Sequence, residues 1–238
     1  MKRDPLIRRR FSVDSVLASK EASTTLTNRA LTKSVLVRSL AGAITAIGIA
    51  MPALAHHPFG GEAPQTIFQG LLSGAGHPVI GLDHLAFVIC AGLLAAVVRG
   101  GLAIPAAFVG ATLVGTGIHL AGLDLPAPEL VISLSVVIFG AIAVMRDRLN
   151  PWSIALLATL AGVFHGYAYG EAVVGAEPTP LVAYLVGFAG IQGVIALLTY
   201  CLSQRAVNKD YSAGLISVRH AGFMVLGAGA AFLGGLLV

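Results

Sequence analysis

Six apolar stretches dominate this chain, each near the ~20 residues an α-helix needs to cross a bilayer: Val79–Val98, Leu102–Ala121, Pro128–Met145, Trp152–Gly170, Pro180–Leu202 and Val218–Val238. Hydrocarbon offers the backbone no hydrogen-bond partners, so runs of this length must satisfy their own amides as helices. The fold class that follows is all-α: a polytopic membrane bundle of six transmembrane helices over residues 79–238. Composition agrees. Only 11% of the residues are charged, against roughly 25% in an average soluble protein, and the mean hydropathy is +0.86. The 29 glycines suit helices that pack backbone to backbone in lipid. Gly162, Gly166 and Gly170 make two overlapping G-x-x-x-G steps, which predicts a close neighbour on that face. Cys90 and Cys201 both sit in apolar runs, so neither a disulfide framework nor a cysteine metal knot is available. Residues 59–76, Gly-rich and carrying Pro64, read as a weaker segment: a short interfacial or re-entrant helix.

The charge is unevenly placed. Residues 1–55 carry nine Lys/Arg against three acids, whereas residues 56–238 carry six against eight. The basic character therefore belongs to the leader, and a nucleic-acid partner loses its support. A basic stretch ending at Arg38, the apolar run Ser39–Met51 and the A-x-A site Ala53-Leu54-Ala55 read as a secretory signal over residues 1–55. Cleavage would leave an extracytoplasmic, histidine-containing segment, residues 56–78, at the mature N-terminus.

Orientation follows from the basic residues. With the mature N-terminus outside, all six Lys/Arg of the mature chain (Arg99, Arg146, Arg148, Arg205, Lys209 and Arg219) fall at the inner side. The outer links hold Glu62, Asp124, Glu171 and Glu177 and no base. The expected location is the cytoplasmic (inner) membrane, multi-pass, with lipid as the surrounding partner. The sequence leaves open whether the bundle forms a homo-oligomer.

Ionisable groups inside spans are costly, about +2.5 to +3.5 kcal/mol for Asp at a helix centre, so each one calls for a reason. Asp83, His84, His119, Glu129, His165 and Glu171 lie at membrane depth or at a span end, and His56, His57 and His77 precede them. In the orientation above, all map to the outer half. Imidazole with carboxylate suits a borderline divalent ion such as Ni²⁺, Co²⁺ or Zn²⁺. The candidate metal-contacting residues are His77, Asp83, His84, His165, His57, His119 and Glu129; no prosthetic group and no catalytic residue is implied. Plainer roles compete at several positions. His77-Pro78 can start a helix, His119 can anchor at the interface, and Glu129 can be a helix N-terminal carboxylate favoured by the dipole. Cys90 reads as a small buried apolar group. Spacing adds a condition: in a continuous helix His77 and His84 share a face but lie ~10 Å apart along the axis. They can serve one ion only if the helix breaks, and Gly81 allows that.

The run His77-Pro78-Val79-Ile80-Gly81-Leu82-Asp83-His84, with Gly92 beyond it, resembles the H-P-x-x-G-x-D-H signature of the HupE/UreJ family of membrane proteins. Phe164-His165-Gly166-Tyr167-Ala168-Tyr169-Gly170-Glu171 resembles the family's second motif, F-H-G-x-A-H-G with a nearby acid. The leader, the six spans and the acid-led third span also fit. Two positions depart. The apolar tail of the first motif reads Ala86, Val88 and Ala91 in place of a usual Met, and the second histidine of the second motif is Tyr169. That tyrosine either removes a ligand or places a phenol hydrogen bond on His165 one turn away. The resemblance implies a nickel or cobalt permease acting as a secondary transporter, with His77, Asp83 and His84 as its leading metal contacts.

No G-x-x-x-x-G-K-[ST] occurs, since the dipeptide Gly-Lys is absent, and an internal P-loop ATPase is thereby excluded. Past mid-membrane only small polar groups remain, chiefly Gln192, Thr159, Ser153 and Thr199, and no continuous metal path is visible. Two other classes stay open: an intramembrane zinc hydrolase aided by Ser133 or Ser135, and a non-transporting metal-binding accessory protein of metalloenzyme assembly.

Overall fold

Hydrogen-bonded helix is the solution the apolar stretches take throughout. The computed structural model of the chain describes residues 63–145 and 150–237, all within one unit, residues 42–238. The leader with its expected cleavage site, and the links bearing His56, His57, Arg146 and Arg148, lie outside the described residues. Among the described residues there are seven helices and no strand: α1 Ile67–Ile80, α2 Leu82–Val97, α3 Ala103–Leu120, α4 Pro128–Met145, α5 Pro151–Glu171, α6 Pro178–Lys209 and α7 Tyr211–Gly235. Five of them, α3 to α7, are long and apolar enough to cross a membrane; α1 and α2 together form a sixth candidate, bent by 80° between them.

The first span therefore differs from its expected extent. Val79 and Ile80 close α1 instead of opening α2. At ~1.5 Å per residue, the 16 residues of α2 reach about 24 Å, short of the ~30 Å hydrocarbon core. The physical cause is local. Pro78 has no N–H to give the helix, and Gly81 turns extended at φ −71°, ψ 97°, serving as C-cap of α1 and N-cap of α2. Residues 67–76 are indeed helical, as the weaker segment, but they run on through Ile80. The start of α1 is held by a capping box: Thr66 accepts from the Gln69 amide while the Gln69 side chain accepts from the Thr66 amide.

At the other ends the helices outrun the apolar runs that announced them. The helix α6 continues to Lys209 and α7 already begins at Tyr211, so most of the expected link 203–217 is helical. Asp210 divides them, in extended backbone, with Oδ1 accepting the Ala213 amide at 3.0 Å. Hydropathy marks where lipid is met, whereas a helix stops only where its backbone is capped.

Packing is close because glycine permits it. In the pair α3–α5, Gly162 faces the Phe108 carbonyl, Gly166 the Thr112 backbone and Gly170 the His119 side chain. These are the glycines whose spacing predicted a near neighbour. Thr116 strengthens the contact by donating to the Gly166 carbonyl at 2.8 Å. The pair α1–α6 uses Gly70, Gly74 and Gly187 in the same way, and α4–α7 uses Gly140, Gly222 and Gly229. Among these pairs runs α2, which packs on α1, α3, α4, α6 and α7. Its Phe87, Val88, Cys90, Ala91 and Leu94 join Ile104, Phe108, Val136, Phe139 and Ile154 in one buried core. Cys90 is thus an ordinary apolar core residue. The outward faces carry Phe68, Leu134, Leu156, Leu160, Val186 and Leu198, as expected of helices solvated by lipid rather than water.

Candidate functional site

The break between α1 and α2 assembles the site. His77 lies in the last turn of α1 and His84 in the first turn of α2. The Gly81 amide donates to the His77 carbonyl at 3.0 Å, closing α1. Asp83 Oδ1 accepts the His84 amide at 2.8 Å, satisfying one of the donors that every helix start leaves open. Across the bend the two imidazoles stand edge to face with ring centroids 5.9 Å apart. The condition that the seven-residue spacing imposed is met.

Both rings are buried, at 4% exposure each. Tyr169 of α5 packs on both, its ring centroid 4.9 Å from His77 and 4.6 Å from His84. His165, one turn earlier on α5, is fully buried and 4.8 Å from the His84 ring. Beneath it lie Phe87 and Phe108, at 4.8 and 5.2 Å, with Phe139 tilted against Phe87 at 4.4 Å. The cluster thus rests on an apolar floor. Asp83 is its most open member: 26% of its side chain is exposed, with Oδ1 4.0 Å from His84 Nε2.

Hydrogen-bond polarity orders the rings. The Ser135 hydroxyl donates to the Ile132 carbonyl at 2.6 Å and lies 3.0 Å from His165 Nε2. A hydroxyl has one proton, so it accepts from His165. His165 Nδ1 is 2.7 Å from His84 Nδ1. On the other side, the Tyr184 hydroxyl donates to the Tyr169 carbonyl at 2.9 Å and stands 2.9 Å from His77 Nδ1.

The other sequence candidates fall elsewhere. His119 packs on Tyr167, ring centroids 4.5 Å apart, and the Tyr167 hydroxyl donates to Asp124 at 3.3 Å. Glu129 is exposed in the first turn of α4. His57 lies outside the described residues. Among the described residues, no three His, Cys, Asp or Glu side chains are grouped so as to hold a metal ion. His84 does meet His77, Asp83 and His165, but both ring nitrogens of His165 are engaged by Ser135 and His84. The phenol bond from Tyr169 to His165 does not form, because the Tyr169 ring is turned toward His77 and His84; its hydroxyl is buried without a hydrogen-bond partner among the described residues. Tyr184 went unnoticed in the sequence, and Ser135 was noticed only for hydrolysis. The signal for both was their residue type, since a hydroxyl in an apolar span demands a partner. Gln192 of α6 shows the same demand. Its amide donates to the Phe188 carbonyl at 3.1 Å and to Thr112 at 3.4 Å, leaving Oε1 buried without a partner among the described residues.

The HupE / UreJ protein family matches the chain over residues 44–232. Protein HupE of Rhizobium leguminosarum bv. viciae is 31% identical over 195 residues, which covers 80% of this chain and 96% of that protein. No solved structure matches the chain significantly.

Proposed function

The chain belongs to the HupE/UreJ family of membrane proteins, and on that premise we propose that it is a permease carrying a divalent transition metal, nickel or cobalt, inward across the cytoplasmic membrane. The observation that carries this reading is the break at Gly81, which brings His77 and His84 to 5.9 Å within the helical bundle. Two imidazoles beside one carboxylate suit Ni²⁺ or Co²⁺. The core sulfur nearest in sequence, Cys90, is packed among apolar side chains instead. Two imidazoles leave the ion much of its hydration shell, and a cargo site must release what it binds.

The end of the bundle that holds the cluster is the extracytoplasmic one in this reading, opposite Arg99, Arg205 and Lys209. Asp83 meets the ion first and His77 and His84 take it deeper, with His57 supplying an outer contact and Glu129 contributing negative charge at the same end of the bundle. Direct measurement of ⁶³Ni and ⁵⁷Co uptake in a host lacking its own nickel and cobalt transporters tests the proposal. His84→Ala and Asp83→Asn are expected to reduce uptake to the level of cells without the protein, at equal amounts of protein in the membrane. Wild-type uptake in both variants would refute it.

A further inference from the structure

Two hydroxyl groups decide which nitrogen of each imidazole can meet a cation. Ser135 and Tyr184 each spend their single proton on a main-chain carbonyl, Ile132 and Tyr169 respectively. Toward histidine they can only accept. The contact of Ser135 with His165 Nε2 at 3.0 Å therefore puts the His165 proton on Nε2. Its Nδ1 then carries a lone pair, and at 2.7 Å it accepts a proton from His84 Nδ1. In neutral His84 the lone pair is on Nε2. The contact of Tyr184 with His77 at 2.9 Å puts the proton on Nδ1 by the same reasoning, and in neutral His77 the lone pair is again on Nε2. Two relays from different helices thus set the same tautomer on the two rings that the break brings together. Metal-binding histidines are commonly oriented in this way, their second nitrogen donating to a neighbouring acceptor.

We propose that Ser135, His165 and Tyr184 are positioning residues: Ser135 acts through His165 to lock the Nε2-donor tautomer of His84, and Tyr184 locks that of His77. His165 is then a relay and not a ligand. The inference deepens the permease reading and rests on it for the identity of the ion, but the tautomers themselves do not depend on transport.

The test uses the full chain, purified in lipid nanodiscs with ¹⁵N-labelled histidine. Nitrogen shifts of the ion-free protein are expected to report Nδ1–H for His77 and His84 and Nε2–H for His165. Ser135→Ala should let His165 and His84 exchange tautomers and weaken Ni²⁺ binding by about 10- to 100-fold, and Ser135→Thr, which keeps the hydroxyl, should restore both. Tyr184→Phe should do the same to His77 alone. His165→Gln, whose amide can donate to Ser135 and accept from His84, should keep Ni²⁺ affinity within a few-fold, whereas His165→Ala should not. Nδ1–H at His165, or equal loss in His165→Gln and His165→Ala, would overturn the relay. Correct tautomers in a protein that binds neither Ni²⁺ nor Co²⁺ would instead leave the relay standing and remove the metal reading.

Discussion

The Tyr169 hydroxyl is the least comfortable group in the site. It is fully buried, has no hydrogen-bond partner among the described residues, and belongs to a ring wedged against two imidazoles. Leaving a buried hydroxyl unsatisfied costs about 1–3 kcal/mol, whereas removing it from a well-packed ring costs little. Tyr169→Phe should therefore stabilise the ion-free protein by about 1 kcal/mol, read as a shift in the midpoint of denaturant-induced unfolding in detergent. A variant less stable than wild type would show that the hydroxyl is bonded in the membrane. The sequence identified this position as a departure from its motif and left open whether it bonds His165, because residues four apart on a helix are near enough to pair without being obliged to. The same limit applies to His119 and Glu129. Both occur at the expected depth, but depth along a span does not say which way a side chain faces, and packing turns His119 onto Tyr167.

At the scale of the element, everything turns on the short run of backbone from His77 to Gly81. The glycine is not there for a left-handed conformation, since φ is −71°. It is there for room. A Cβ at this position would lie 2.6 Å from His84 Cδ2 and 3.3 Å from Asp83 Oδ1. The imidazole cannot yield easily, because its Nδ1 is tied to His165 at 2.7 Å. Gly81→Ala is expected to leave the helices formed, by far-ultraviolet circular dichroism, while Ni²⁺ affinity measured by calorimetry falls at least tenfold, about 1.4 kcal/mol. Affinity within twofold of wild type would mean that the break does not set the site. This element was largely legible in advance. Pro78 and Gly81 are visible breakers, and the seven-residue spacing showed that only a break could bring the histidines together. Its angle of 80° was not legible, because it depends on α1 lying along α6 through Gly70, Gly74 and Gly187. Those contacts join residues more than a hundred positions apart. Helix ends were misread for a simpler reason: at Lys209 and Tyr211 the helix carries polar residues that a hydropathy profile assigns to a link.

The whole molecule places its cluster of ionisable groups at one end and a continuous apolar core along the rest. Beneath His165 the path toward the basic end meets Phe87, Phe108 and Phe139, all at 1% exposure or less. Gln192 and Thr112, a buried polar pair, lie on the cluster side of Phe108, where Thr112 packs on Gly166 beside His165. In this conformation an ion held by His77 and His84 could approach past Asp83, whereas its onward route is blocked by phenylalanine. The proposed transport would require a second conformation in which the rings part, and the membrane potential acting on the ion's own charge is a sufficient energy source. A divalent cation moving through 100 mV, inside negative, releases about 4.6 kcal/mol, at about 2.3 kcal/mol per charge, enough for roughly three decades of accumulation. Purified protein in liposomes should therefore concentrate ⁶³Ni when a potassium gradient and valinomycin make the lumen negative, at the face corresponding to the cluster. Uptake should fall to simple equilibration when the potential is collapsed, and added ATP should change neither value. Accumulation that survives a collapsed potential would require a coupled ion, and the exposed carboxylate of Asp83 would be the first group to examine as its carrier.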